Sequence, residues 1–371
     1  MCPAQQYGNC NYTVLSFSGG MDRRRYLGMC GVTLAGLAGC TGSDEQPEQV
    51  TSTSGSSGGG SEGSSSGNGG GQTATQTAEP TTQTEEPSSQ VATARIGEVV
   101  KDDTLAMVVS GTERTQKIGE FQQAESGQTF VVVDLAIKNL TSDEFINFSG
   151  FLQTRLKDDE DYTYDQTFAS TGKNLNGGQI APGEVSRGDV VYEIPKDASG
   201  LVMQFDFQAI SLFEFSRVEI DLSQSVDDPG SLQQNLQVDV YAPGDAVKFD
   251  NVQVTVNGVE TTTSVGSFSE AAEGNEFVIV DITTTNNTDE ELTISTLLQM
   301  LLKDGKGFNY PMSITAMSGL DRSYDEGSPL VAGESRRGKV AYEVPKGTKP
   351  LYWAFEFSVW VEGTKTFWQV R

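Results

Sequence analysis

The chain repeats itself. Gly97-Glu98 matches Gly244-Asp245, 147 residues on. The same offset joins Gly111 to Gly258, Glu113 to Glu260, Gly119 to Gly266, Phe121 to Phe268, Gly127 to Gly274, Phe130 to Phe277, Asp134 to Asp281 and Asn139 to Asn286. At offset 146, Leu152-Gln153 and Leu156-Lys157-Asp158 match Leu298-Gln299 and Leu302-Lys303-Asp304. At offset 150, Pro182-Gly183-Glu184, Arg187-Gly188, Tyr192-Glu193 and Pro195-Lys196 match Ala332-Gly333-Glu334, Arg337-Gly338, Tyr342-Glu343 and Pro345-Lys346. Offsets that drift by so few residues mean one domain of about 130 residues, duplicated. Each copy must therefore find a core of its own within a 371-residue chain.

The periodicity inside each copy is that of strands. Val131, Val133, Leu135 and Ile137 alternate with Val132, Asp134, Ala136 and Lys138, and copy two repeats this at Val278, Val280 and Ile282. Leu351, Trp353, Phe355, Phe357, Val359 and Val361 alternate with Tyr352, Ala354, Glu356, Ser358, Trp360 and Glu362. Period 2 gives a strand one buried and one wet face. Gly, Asn, Asp and Pro clusters separate the runs, and no long stretch carries a 3.6 period. The sequence predicts an all-β protein of two tandem β-sandwiches, at residues 94–225 and 233–371, joined by 226–232.

What precedes them reads as an address and a tether. Met21 opens MDRRRYLGMCGVTLAGLAGC, in which Arg23 to Arg25 form a charged n-region and Tyr26 to Gly39 an apolar stretch of 14 residues. That is short of the roughly 20 residues a spanning helix needs, and it has the length of a signal-peptide core. Translation is expected to begin at Met21, with residues 1–20 a misassigned start and 21–39 a signal peptide. Arg23, Arg24, Tyr26 and Leu27 resemble a twin-arginine export signal, and Leu37-Ala38-Gly39-Cys40 resembles a lipobox with Cys40 as the lipidated residue. Residues 41–93 hold 31 Ser, Thr or Gly among 53, and no Lys, Arg or aromatic residue. Such a chain cannot bury enough apolar surface to fold, so 40–93 is expected to be a disordered, lipid-anchored spacer, about 40 Å in r.m.s. span.

The two copies resemble the telokin-like, immunoglobulin-like extracellular domains of unknown function found in bacterial and archaeal lipoproteins. The resemblance lies in Ile96-Gly97-Glu98, in Phe130 to Asp134 running into Asn139, in the strand ending at Lys-Asp, and in Pro182-Gly183-Glu184-x-x-Arg187-Gly188-x-x-x-Tyr192-Glu193-Ile194-Pro195. It implies an immunoglobulin-like sandwich outside the cell and brings no catalytic residues. Copy two departs at Ala242-Pro243-Gly244-Asp245 and has Ala332 in place of Pro182.

Charge and the missing side chains bound the chemistry. Acidic residues number 51 against 25 basic ones, a net −26, and a polyanion is repelled by phosphate backbones. No nucleic-acid partner is expected. There is no histidine, and Cys2, Cys10, Cys30 and Cys40 are the only cysteines, so imidazole- and thiol-based catalysis is excluded from the body of the chain. Copy one has 22 acids against 11 bases and copy two 19 against 11; an excess in every segment is the composition of a halophile's protein.

Four features remain as candidate sites. Asp158, Asp159 and Asp161 form a weak Ca²⁺ candidate, set against a solvated hairpin tip; the run lacks the spacing of an EF-hand loop. Asn139, Asn147 and Asn286 head N-glycosylation sequons, although turns select Asn for conformational reasons as well. Tyr352 and Trp360, off the core stripe, either form a contact patch or are covered by the other domain. Carboxylate pairs such as Glu113/Glu260 and Asp134/Asp281 single out no catalytic geometry. The expectation is a non-enzymatic lipoprotein on the extracellular face of the cell membrane, without a cofactor, held to lipid through Cys40. It would contact an envelope protein or glycan or serve as a structural envelope module. The alternative is a solute- or cation-binding lipoprotein serving a transporter.

Overall fold

The alternating runs at residues 128–139, 275–286 and 351–356 are strands. The computed structural model describes residues 48–49, 91–119, 121–207, 216–357 and 364–371, all within the compact unit Glu45–Arg371. Cys40, Arg23, Arg24, Tyr26, Leu27 and Trp360 lie outside the described residues.

After a two-residue strand, β1 (Glu48–Gln49), copy one runs β2 (Val91–Ile96), β3 (Val100–Lys101), β4 (Leu105–Thr115), β5 (Lys117–Ile118), β6 (Gln122–Gln123), β7 (Gln128–Asn139), β8 (Ile146–Phe148), one helical turn α1 (Gly150–Gln153), β9 (Thr154–Lys157), β10 (Thr163–Tyr164), β11 (Gly178–Ile180), β12 (Val185–Pro195), β13 (Val202–Asp206) and β14 (Arg217–Ser225). One sheet has the order β12-β7-β4-β3 and the facing sheet β10-β9-β13-β14-β2. Between them lie Val131, Val133, Leu135, Ile137, Tyr192, Met203, Phe205 and Ile220, all essentially inaccessible to solvent.

Copy two follows with β15 (Val240–Tyr241), β16 (Ala246–Phe249), β17 (Val252–Thr262), β18 (Ser264–Val265), β19 (Ser269–Glu270), β20 (Asn275–Asn286), α2 (Thr296–Gln299), β21 (Met300–Asp304), β22 (Asn309–Tyr310), α3 (Ile314–Gly319), β23 (Ser335–Pro345), β24 (Leu351–Glu356) and β25 (Lys365–Gln369). Its sheets are ordered β1-β16-β17-β20-β23 and β15-β25-β24-β21-β22. Trp353 is wholly buried, 5.4 Å from the ring of Trp368, and its indole N–H donates to Tyr342 Oη at 3.0 Å. The apolar stripe of β24 is thus the core, as its alternation requires.

The same irregularities recur in both copies. Ladder β4–β7 shifts register between Val109 and Gly111, and β17–β20 between Val256 and Gly258. The repeated glycine at offset 147 therefore marks a β-bulge, a device that bends a strand and re-aims its side chains. Two stretches of the expected spacer are strands: Glu48–Gln49, and Val91 to Thr93 at the head of β2. Glu48–Gln49 pairs with Val247 and Lys248. Val91–Ile96 runs parallel to β14 and packs Ala92, Ala94 and Ile96 on the core. Alternating small apolar residues suffice there because a neighbouring strand supplies the ladder. Among the described residues no helix is long and apolar enough to cross a membrane.

Candidate functional site

A buried contact joins the two copies. Phe145 and Ala181 of copy one bury against Ala354 and Phe367 of copy two, with Leu301, Tyr352 and, from the segment between β14 and β15 that reaches past the expected join at 226–232, Leu236 and Val238 packed round them. The joining segment pairs with the Pro182-Gly183 turn: Asn235 N donates to Gly183 O at 3.0 Å and Gln237 N to Pro182 O at 2.9 Å. Gly183 is required here. It lies at φ +74°, and a Cβ would stand 2.0 Å from Asn235 O. Arg187 completes the seam, with its backbone N on Gly307 O at 3.0 Å and its guanidinium over the ring of Phe308.

At the centre of the seam lies a buried ion cluster. Glu184 is 1 % exposed and accepts from Lys303 Nζ and, at 2.7 Å, from Lys365 Nζ, both of copy two. The second carboxylate oxygen takes Ala181 N at 2.8 Å. Lys303 also donates to Val185 O at 2.8 Å and Lys365 to Gln179 O at 3.0 Å. Burial alone would push the Glu184 carboxyl up, but the two ammonium groups override it and hold it below the usual range. Burial pushes Lys303 down to about 8, against the upward pull of Glu184. Glu334, the equivalent of Glu184, instead stays at the surface and pairs with Arg336 at 3.0 Å.

The seam also changes a cleft that both copies carry. In copy one a cleft of about 430 Å³ is lined by Glu113, Asp134, Thr171, Lys173 and Asp189; in copy two one of about 550 Å³ is lined by Glu260, Asp281, Arg322, Arg337 and Lys339. Arg337 grips Asp281 through Nε at 2.9 Å and Nη2 at 2.8 Å. Its counterpart Arg187 is drawn into the seam, and Asp189 stands opposite Asp134 where Lys339 stands opposite Asp281. Asp134 Oδ1 is left buried with no hydrogen-bond partner. Burial pushes the Asp134 carboxyl up, whereas hydrogen bonding to Arg337 holds that of Asp281 down. The copy-one cleft can pair with a cationic group; in copy two the position is filled by the chain's own guanidinium.

Most of the residues singled out in the sequence have structural duties. Asn139 and Asn286 are wholly buried. Both donate twice from Nδ2, Asn139 to Glu144 O and Ile180 O, and Asn286 to Glu290 O and Leu330 O. Their Oδ1 atoms accept from Thr141 and Thr288. A glycan on either nitrogen is incompatible with this fold, so two of the three sequons are turn staples, while Asn147 is exposed on β8. Asp158 closes a turn, accepting from Glu160 N, Tyr162 N and Tyr164 Oη, and Asp304 does the same with Lys306 N, Phe308 N and Tyr310 Oη. Asp161 pairs with Lys157 and Asp159 accepts from Ser199. Among the described residues no three His, Cys, Asp or Glu are placed to hold a metal ion. Tyr352 is half-buried and packs against the seam cluster that copy one shares.

Residues 94–212 and 241–365 match the family described as Domain of unknown function (DUF4352). The chain belongs to this family, in two tandem copies. None of the curated proteins matches it. Among solved structures it is similar to a conserved hypothetical protein from Bacillus anthracis, at 21% identity over 35% of this chain and 95% of that one, TM-score 0.29. It is also similar to an uncharacterized β-sandwich protein from Clostridium difficile, at 18% over 37% and 99%, TM-score 0.28. A third is a putative lipoprotein from Bacillus subtilis, at 12% over 50% and 72%, TM-score 0.29.

Both DUF4352 copies share one more feature, visible only with burial in hand. Phe121, Phe151, Leu152 and Phe168 are exposed in copy one, and their counterparts Phe268, Leu297, Leu298 and Ile314, 146 or 147 residues on, are exposed in copy two. Phe121 and Phe268 head the tips of the β5–β6 and β18–β19 hairpins at 94 and 99% exposure. The hairpins are tied to neighbouring segments, by Ser170 N on Gln122 Oε1 at 2.8 Å and by Ser269 Oγ on Thr315 O at 2.7 Å. In copy one the rings of Phe151 and Phe168 stand 5.0 Å apart. The matched pair Phe121/Phe268 was readable in the sequence; its exposure was not.

Proposed function

We propose that this chain is an exported, lipid-anchored surface module that acts by contact and not by catalysis. The observation that carries the reading is the apolar set held at the surface of both copies. Four positions stay large and apolar twice over while other outer positions change character, as Leu301 to Arg155 and Ala354 to Gln204 do. Exposed apolar side chains gain little from the fold, and in copy one Phe151 and Phe168 stand together with rings 5.0 Å apart, as side chains of an interaction patch do. Cys40 at the end of the lipobox, the charged n-region and the spacer support export and anchoring; the acidity of every segment supports a halophilic, archaeal surface; the paired sheets are read as immunoglobulin-like.

The test of the anchor is fractionation. Cys40→Ser is expected to move the protein from the membrane fraction to the medium or to block its maturation. Membrane association unchanged in that variant overturns the anchored reading. Lysine at Arg23 and Arg24 is expected to block export by the twin-arginine route.

A further inference from the structure

We infer that the copy-one cleft is a binding site for a guanidinium group. Copy two carries the same site already filled. There Asp281 accepts from Asn257 Nδ2 at 3.1 Å and from Arg337 Nε and Nη2 at 2.9 and 2.8 Å, and Lys339 donates to Glu260 at 3.3 Å. Asp134 and Glu113 hold the equivalent positions in copy one, where those donors are replaced or turned away. Ser110 stands for Asn257, and Asp189 stands for Lys339. Arg187, which stands for Arg337, donates to Lys306 O, Leu232 O and Ser110 Oγ instead. Asp134 Oδ1 is left buried without a partner. A buried polar atom of that kind is rare in a folded protein and marks a place where a donor is missing.

The lining charges identify the donor. In copy two Glu260, Asp281 and Asp321 face Arg322, Arg337 and Lys339, and the cleft is neutral. In copy one Glu113, Asp134 and Asp189 face Lys117 and Lys173, one positive charge short. Asp134 and Asp189 also stand directly opposite each other across β7 and β12, and like charges so placed destabilise a sheet. A monocation between them removes both costs. Guanidinium suits the position better than a metal ion. Its planar fork of N–H donors matches the two oxygens of a carboxylate, as Arg337 does on Asp281. Among the described residues no three acids are placed to hold a metal. The cleft of about 430 Å³ is walled on one side by Ile118 and Val132, so an apolar stem fits beside the charged head. Such a group can belong to a free solute or to an arginine of a protein partner. Neither source depends on the membrane anchor.

The experiment titrates the full chain with methylguanidinium and with a blocked Gly-Arg-Gly peptide, followed by NMR. Saturable shifts are expected at the backbone amides of Gly111, Asp134 and Asp189. Asp134→Asn keeps the shape of the side chain and is expected to weaken binding at least tenfold. Asp189→Lys supplies the cation that copy two has at Lys339 and is expected to displace both probes. Asp281→Asn is expected to leave the affinity unchanged, and melting midpoints taken alongside show that each variant is folded. Peptide binding at least tenfold tighter than that of methylguanidinium assigns the site to an arginine of a protein partner; equal affinities assign it to a free solute. No saturable binding of either probe, or an affinity indifferent to Asp134→Asn, overturns the proposal. So does an equal loss in Asp281→Asn, which would mean counterions spread over the acidic surface. Displacement of the probes by Ca²⁺ at matching concentration overturns it as well, since the occupant would then be a metal ion.

Discussion

Asp134 and Asp281 occupy one position of the repeat and meet opposite electrostatics. Burial raises the Asp134 carboxyl above the ordinary 3.8, and Arg187, whose guanidinium donates toward the seam instead of to Asp134, offsets that only through space; Asp281 is hydrogen-bonded by Arg337 and is held below that value. The linkage follows from protons bound. A raised acid stabilises the fold below its unfolded value and loses that contribution as pH rises through the folded one. A depressed acid stabilises above its unfolded value and loses that as pH falls through the folded one. Asp134→Asn is therefore expected to raise the melting midpoint at neutral pH by ~2 °C or more, with the gain shrinking toward pH 3.8 and below. Asp281→Asn is expected to lower the midpoint at neutral pH, with the loss fading as the solution is acidified. Thermal melts of both variants across that range check the pair; shifts of the same sign contradict the account of the clefts.

At the scale of elements, the strands were legible and their partners across the copies were not. Alternation in β7, β20 and β24 marked the core face, and the drift of offsets marked the duplication. Nothing in the sequence separates Glu184 from Glu334, or Lys303 from Lys157; each pair reads alike, and only docking buries one member of each. The sequons misled for a related reason. Asn-x-Thr at Asn139 and Asn286 is the pattern of a turn whose Thr feeds the Asn carbonyl, and its recurrence at one register position was the available signal. The seam gives a quantitative test. Removing one member of a buried ion pair leaves its partner uncompensated, at a cost of about 3–5 kcal/mol. Glu184→Gln strands two lysines and is expected to destabilise by that amount, measured by denaturant melts, while Glu334→Gln leaves the midpoint unchanged. Replacing Glu184, Lys303 and Lys365 together by Leu, Met and Met is expected to restore most of the loss, since well-packed apolar groups often match a buried ion cluster.

Across the whole molecule, charge is divided between a surface that salt reaches and a seam that it does not. Excess carboxylate lies on both copies, so the folded body repels itself when counterions are dilute. Screening over about 10 Å at 0.1 M salt, and about 3 Å at 1 M, relieves that repulsion at the surface and leaves buried pairs nearly untouched. Among the described residues the apolar contact between the copies is the one seam. On copy one's own outer sheet Arg155, Val202, Gln204 and Glu219 stand where copy two has Leu301, Tyr352, Ala354 and Phe367, so the apolar half of the seam has no duplicate there to recruit another turn. Salt should accordingly strengthen the pair without building it into a chain. The melting midpoint is expected to fall as NaCl drops from molar to millimolar, with the molecule monomeric throughout by sedimentation. The deficit caused by Glu184→Gln is expected to be the same at both ends of the range, because Glu184 is 1 % exposed and its lysines are 0 and 5 % exposed at their side chains. A flat midpoint would remove the halophilic reading of the acidity, and a Glu184→Gln deficit that shrinks in salt would mean that solvent reaches the cluster and the seam breathes.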